Sequence, residues 1–331
     1  MVKIAFYKIF LKVIIYCLCL FLISCSDSED STIKPTKPKF SLVKTPKVNK
    51  DSVFYFVKKQ VDFGPRTPNS LAHEKCADWI VEKLKSYNFT IIEQKGKQLA
   101  YDGKELAYRN IIGRFGLDKK KRMMLSAHWD TRPWADQDIE RRDEPIDGAN
   151  DAGSGVAVIL EVARLLNQKS PNIGVDVVLF DIEDYGKSNE TFCYGSQIWS
   201  KDTRLDSLLP SYGINLDMVG DPNALFLYEG YSREYARPIL DKVWTIAKHM
   251  GYSRYFKVIP DGQITDDHYY VNQAGIPCID IIHRNPQNGS FANSWHTHND
   301  NIDNISAKTL KSVTDVVMQT IYRENYVLGQ P

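Results

Sequence analysis

The chain has 331 residues, with 42 Lys and Arg against 41 Asp and Glu, for a formal net charge of +1. That near balance leaves no excess positive charge for a nucleic-acid backbone or a polybasic membrane patch. Its six cysteines do not have zinc-finger spacing.

The first element in chain order is an export signal. Lys3, Lys8 and Lys12 form a positive start, "VIIYCLCLFL" is the apolar core, and "LISC" ends it at Cys25. A small residue before cysteine is what lipoprotein signal peptidase reads, so residues 1–24 are expected to be removed and Cys25 lipidated. The competing reading is an uncleaved anchor, for which the apolar run is short. A lipidated Cys25 would place the protein in the cell envelope, anchored without spanning it, at a periplasmic or cell-surface face. The acidic "SDSED" that follows resembles surface-export signals of some Gram-negative lipoproteins. Without the three leader lysines, 39 basic residues face 41 acidic ones, a formal charge of −2. Residues 25–50, rich in Ser, Asp, Lys and Pro, read as a flexible tether. Residues 51–331 are then expected to form one domain around one core. Cys76, Cys193 and Cys278 remain in it and read as buried thiols, between which at most one disulfide can form.

"SLAHEKCADWIVEKLKSYN" carries apolar residues at helical spacing and predicts an amphipathic helix. "MMLSAHWD", "VDVVLFDIED", "YGINLDMVG" and "IPCIDIIH" are apolar runs bounded by turn residues, the pattern of strands covered on both faces. Between and after them "GSGVAVILEVARLLNQ", "SREYARPILDKVWTIAKHM" and "SAKTLKSVTDVVMQTIYREN" predict helices. Alternating strands and helices imply an α/β fold, expected as a central mixed, mostly parallel twisted sheet flanked by helices. In such folds ligands gather beyond the carboxyl ends of the strands, and there His128, Asp130, Glu183, Asp184 and Asp217 fall.

His128 and Asp130, two apart at a strand end, would face one side, with the carboxylate orienting the imidazole. Asp151 precedes a Gly-Ser-Gly turn and is either a helix cap or a ligand facing the rim. Asp181, Glu183 and Asp184 crowd one strand end, and adjacent carboxylates repel unless a cation or a shared proton holds them. Asp266 and Asp267 open a helix, where a cap is an equal reading, and His268 would sit in its first turn as a structural residue. His73, His249, His283 and His298 have no evident partner and also read as structural. His128, Asp151, Asp184, Asp217 and His296 together make a histidine and carboxylate set suited to zinc.

"AHWD", "DGANDAGSG", "FDIED", "NLDMVG" and "WHTHND", in that order, resemble the zinc aminopeptidase superfamily, and more closely its glutaminyl-peptide cyclotransferases. The likeness runs over nearly all of residues 51–331, "VDFGPRTPNS" included. It implies a phosphorylase/hydrolase-like sheet and one zinc held by Asp151, Asp184 and His296. It also implies that Glu183 shuttles protons beside a carboxylate network of Asp217 and Asp266. Trp295, Phe291 and Ile264 match apolar pocket positions. Two departures stand out. Asp184 replaces the glutamate of animal cyclases, and the tryptophan they carry soon after the acid pair is missing, leaving Phe192 or Trp134 to supply that wall.

On this likeness the expected reaction cyclises the N-terminal glutamine of peptides and proteins to pyroglutamate. The rival is a two-zinc aminopeptidase, with His128 and Asp217 on one metal, Asp184 and His296 on the other, and Asp151 between them. A non-catalytic binding lipoprotein on the same fold is the third reading, which the intact Glu183 and ligand set oppose.

Overall fold

The computed structural model describes residues 40–202 and 209–324. The leader and the lipidation site at Cys25 lie outside the described residues. The expected tether ends earlier than Lys50. Val43 exchanges two hydrogen bonds with the Gln319 side chain, at 3.1 and 2.7 Å, and Val48 is buried. Few apolar residues mark this stretch, so composition missed its backbone pairing.

Helix α1 (Lys50–Val61), capped by Asn49, precedes the expected helix α2 (Leu71–Ser86), capped by Ser70. Strands β1 (Thr90–Leu99) and β2 (Glu105–Phe115) form an antiparallel hairpin. Composition and periodicity did not single out α1, β1 or β2. Both strands keep many half-exposed positions, so they lack the continuous apolar run that marks the inner strands.

Those inner strands are β3 (Arg122–His128), β4 (Gly174–Phe180), β5 (Gly213–Asp217) and β8 (Cys278–Ile282), and every residue in them is buried. The six-stranded sheet runs β1-β2-β4-β3-β5-β8. From β4 to β8 its pairings are parallel, and β2 joins β4 antiparallel. A mixed sheet flanked by helices is therefore the fold, as the strand and helix alternation predicts.

Helix α3 (Gly153–Gln168) covers one face. Its second glycine matters because a Cβ at Gly155 would lie 2.1 Å from the Leu216 carbonyl oxygen. Only a bare Cα lets α3 approach β5 that closely, which brings the chain just before α3 to the end of β5. Helix α4 (Tyr194–Ser200) stands between β4 and β5 in the chain, and β5 is followed by β6 (Phe226–Tyr228), which pairs in parallel with β7 (Phe256–Pro260).

The expected single helix over 232–250 is two helices, α5 (Gly230–Tyr235) and α6 (Arg237–His249). Pro238 explains the break. It has no N–H to donate and its ring would strike the carbonyl four residues back, so the helix restarts at Arg237. Helices α7 (Asp267–Gln273) and α8 (Ala307–Arg323) complete the fold. Cys76, Cys193 and Cys278 are buried thiols, and none is in a disulfide.

Candidate active site

Because β3, β4, β5 and β8 are parallel, their carboxyl ends share one rim. His128 pairs with Phe180 at the ends of β3 and β4, and Asp217 pairs with Ile282 at the ends of β5 and β8. The chain leaves each strand there with a polar side chain. Ile182, Met218, Cys193 and His296 all take positive φ, between 48° and 58°. Such conformations cost bulky residues roughly 1–3 kcal/mol each and persist where the surroundings hold them.

The rim encloses a cavity of about 330 Å³ lined by Asp151, Glu183, Asp184, Asp217, Asp266 and His296 on its polar side. Two donor sets meet in it. His128, Asp151 and Asp217 form one, and Asp151, Asp184 and His296 the other, with ligand atoms in each set within 4.8 Å of one another. His128 Nε2 lies 2.8 Å from Asp151 Oδ1 and 3.5 Å from Asp217 Oδ1. His296 Nε2 lies 3.3 Å from Asp184 Oδ1 and 3.9 Å from Asp151 Oδ2. Asp184 Oδ2 and Asp217 Oδ1 are buried without a hydrogen-bond partner among the described residues. Buried carboxylate oxygens rarely stay unpaired, and imidazole with carboxylate is a zinc donor set. The residues fit zinc.

The electrostatics point the same way. Burial pushes Glu183 well above the ordinary carboxylate range against the pull of His128, and Asp184 adds to the rise. Burial and Asp151 bring Asp217 to about 7. Asp300, buried and close to Asp151, is raised to about 8. A cation among these groups would relieve their mutual repulsion.

Supporting contacts show how the chain holds the donors. Asp151 is not a cap: the residue at the start of α3 is Ala152, and no side chain caps that helix. Instead Asp300 accepts from the amides of Asn150 and Asp151 at 2.6 and 3.1 Å. The Arg66 of "VDFGPRTPNS" donates to the carbonyls of Asp147 and Gly148, anchoring the same loop. Arg132 reaches Asp184 at 3.2 Å and Asp136 at 2.7 Å, and Asp136 lies 3.0 Å from His296 Nδ1. A carboxylate behind a ligating imidazole orients the ring. Arg132 and Asp136 lie outside the motifs, and Asp300, which ends "WHTHND", carries no signal beyond its place there, so none of the three is in the expected set.

Asp130 was expected to orient His128. It lies 3.5 Å from Nδ1, but accepts from the amides of Glu183 and Asp184 at 3.0 and 3.2 Å. The strand ends at His128, so the two-residue alternation does not extend to Asp130, which turns to the end of β4. Of the three clustered acids, Asp181 points away and is 2.7 Å from His73 Nε2. His73 thus has a partner, and its ring stacks on Trp129 with centroids 4.2 Å apart. His298 also has one in Asp138, whose carboxylate accepts its backbone amide at 3.0 Å. His249 is 2.9 Å from the Thr245 carbonyl, and His283 is buried beside β6.

Asp266 caps α7 and also accepts from Asn215 Nδ2 at 2.8 Å. Asp267, fully buried, is raised well above the ordinary range by burial and by Asp266. His268 sits behind the site at 3.0 Å from Glu229 Oε2.

Trp295, Phe291, Ile264 and Phe192 line the cavity. Trp295 stacks on the His296 ring at 3.8 Å, which fixes both the wall and the ligand. Trp134 does not line it. Its ring packs edge-on against Tyr185, 5.1 Å away, under the Arg132 guanidinium. Arg132 itself lies between Trp134 and Phe192, so only Phe192 faces the cavity.

A domain model of Peptidase family M28 matches residues 110–321, and the chain belongs to that family. Among solved structures, a Bacteroides thetaiotaomicron glutaminyl cyclase bound to N-acetylhistamine is 44% identical, with a TM-score of 0.83 over 85% of this chain and 100% of that one. A Zn-dependent exopeptidase of Parabacteroides distasonis is 43% identical, with the same TM-score and coverage. Aminopeptidase YwaD of Bacillus subtilis is 26% identical over 267 residues, 78% of this chain. The chain spans 54% of that aminopeptidase's length.

Proposed function

We propose that the protein is a zinc-dependent glutaminyl-peptide cyclotransferase, converting N-terminal glutamine of peptides and proteins to pyroglutamate with release of ammonia. The observation that carries this reading is the pairing of the Asp151, Asp184 and His296 donor set with an aromatic wall. Trp295 and Phe291 are 4.8 Å apart over a cavity of about 330 Å³, with Glu183 and Asp266 on its polar side. That shape suits one flat amide side chain and its amine. The 44% identical glutaminyl cyclase supports the same reading.

Zinc, held by Asp151, Asp184 and His296, would polarise the γ-amide oxygen as a Lewis acid. Glu183 accepts a proton from the α-amine as its nitrogen bonds to the side-chain amide carbonyl carbon, and returns a proton to the amide nitrogen as its bond to that carbon breaks and ammonia departs. Cys193 Sγ donates to Glu183 Oε1 at 3.1 Å, holding that carboxyl in place. Trp295, Phe291 and Ile264 fold the glutamine so that amine and amide meet. Since the attack is intramolecular, positioning supplies a large share of the acceleration.

The two-zinc aminopeptidase is favoured by the place of Asp151 between both donor sets and by the likeness to the 43% identical Zn-dependent exopeptidase. Metal content and product decide between them. The cyclase is expected to hold one zinc per chain, to retain it in His128→Ala, and to release ammonia from Gln-peptides whose first peptide bond stays intact. Two tightly held zincs, loss of one in His128→Ala, and free N-terminal amino acids would establish the aminopeptidase.

We further propose that Cys25 is lipidated and anchors the protein to the cell envelope, on the strength of "LISC" behind a basic and apolar leader. Among the described residues no helix is long and apolar enough to cross a membrane. The wild-type protein is expected in the membrane fraction and Cys25→Ala outside it. Equal partitioning of the two would refute the anchor.

A further inference from the structure

The cavity lining carries charges of both signs. It includes Asp151, Glu183, Asp184, Asp217 and Asp266, while Arg284 is the only arginine or lysine among the residues lining it. Arg284 follows β8 and its own side chain is 11% exposed. Its Nε donates to Asp261 Oδ2 at 2.8 Å, and its guanidinium sits 4.6 Å above the Phe291 ring. That is the only hydrogen bond its side chain makes among the described residues, so the two terminal nitrogens keep their donors. The Phe291 ring holds the plane of the guanidinium beside the aromatic wall, and Asp261 secures the near edge.

A planar guanidinium with its terminal donors open is built to take a carboxylate on two parallel hydrogen bonds. The amine and amide of the substrate's glutamine belong with the acidic, metal-binding residues. A carboxylate lying just behind that glutamine would then meet Arg284. We propose that Arg284 is a specificity-determining residue that selects peptides bearing a carboxylate within two residues after the N-terminal glutamine. This rests on the cyclase reading above and extends it to the substrate class.

Such a carboxylate has two sources, an acidic side chain or the free end of a short peptide, and amidation separates them. The test measures kcat/KM for ammonia release from C-terminally amidated Gln-Glu-Ala and Gln-Ala-Glu against Gln-Gln-Ala and Gln-Ala-Gln. Gln-Ala-Ala is included with and without its terminal carboxylate. The Asp261 partner already offsets part of the charge, so the expected preference is about tenfold, near the low end for a charged hydrogen bond. The acidic peptides are expected to lead if the side chain is the source, and unamidated Gln-Ala-Ala if the chain end is.

In Arg284→Gln the ratio is expected to fall to about one, and in Arg284→Glu to invert, as a contact between opposite charges requires. Should either variant misfold, wild type still decides, because its preference should shrink with added salt. Equal kcat/KM across the wild-type series, or an unchanged ratio in folded Arg284→Gln, overturns the proposal while leaving the cyclase standing. Absence of ammonia from every peptide removes both.

Discussion

Glu183→Gln is expected to bind zinc as wild type does and to lose about 10²- to 10⁴-fold in kcat, the range for a positioned proton-transfer group. Glutamine keeps the size and the amide-like shape, so the neighbouring donors stay where they are, but it can neither take the amine proton nor return one to ammonia. Asp184→Ala and His296→Ala should behave differently, losing zinc and activity together because each removes a ligand. Zinc content by atomic absorption, read beside turnover, separates the two outcomes. Normal turnover in Glu183→Gln would remove Glu183 from the chemistry. Zinc loss equal to that of Asp184→Ala would make it a ligand instead.

The largest effect on stability is expected at Glu229, which lies outside every motif. Its carboxylate is fully buried and accepts from the amides of Tyr231, Ser232 and Ile264 at 2.8, 2.6 and 3.0 Å. It also accepts from the Ser232 hydroxyl at 2.7 Å and lies 3.0 Å from His268 Nε2. One side chain thus ties the start of α5 and the first turn of α7 to Ile264, a cavity wall. Burial alone would raise its pKa, but the hydrogen bond and charge of His268, with the two α5 amides, bring it down to about 2.

A folded pKa below the unfolded value stabilises the protein above the unfolded pKa and stops doing so as pH falls through the folded one. The window here runs from about 4.5, the ordinary glutamate value, down to about 2. The corresponding contribution is about 3 kcal/mol at neutral pH. Glu229→Gln should therefore unfold at lower urea than wild type at pH 6, with the gap closing as pH drops toward 2. A gap that stays constant across that window would show that the carboxylate's charge is not what stabilises the fold.

Much of the site was legible because its residues end buried strands. His128, Glu183, Asp184 and Asp217 each stand where an apolar run gives way to polar residues, and parallel strands bring such ends to one rim. Asp151 stood open between a helix cap and a ligand, and the ligand roles of Asp151 and His296 followed from the resemblance that the ordered motifs carry. Arg132, Asp136 and Glu229 were not. Each acts through one or a few hydrogen bonds to a residue distant in sequence, and a single polar residue in a loop leaves no periodic trace. Trp134 and Phe192 show the same limit, since both were candidates for one wall and only packing around Arg132 decided between them.

The sequence by itself determined the layered α/β class, the inner strands, and the acids and histidines that meet at their ends. Hydrophobic runs and turn residues are local signals, and strand polarity does the rest. Only the tertiary structure decided where the tether ends, that Pro238 splits one helix into two, and that Asp130 serves the amides of Glu183 and Asp184 rather than His128 alone. It also decided that Asp151 lies between two donor sets. The reason is physical: these outcomes depend on distances between segments far apart in the chain, and the close approach of α3 to β5 at Gly155 sets the most important of them.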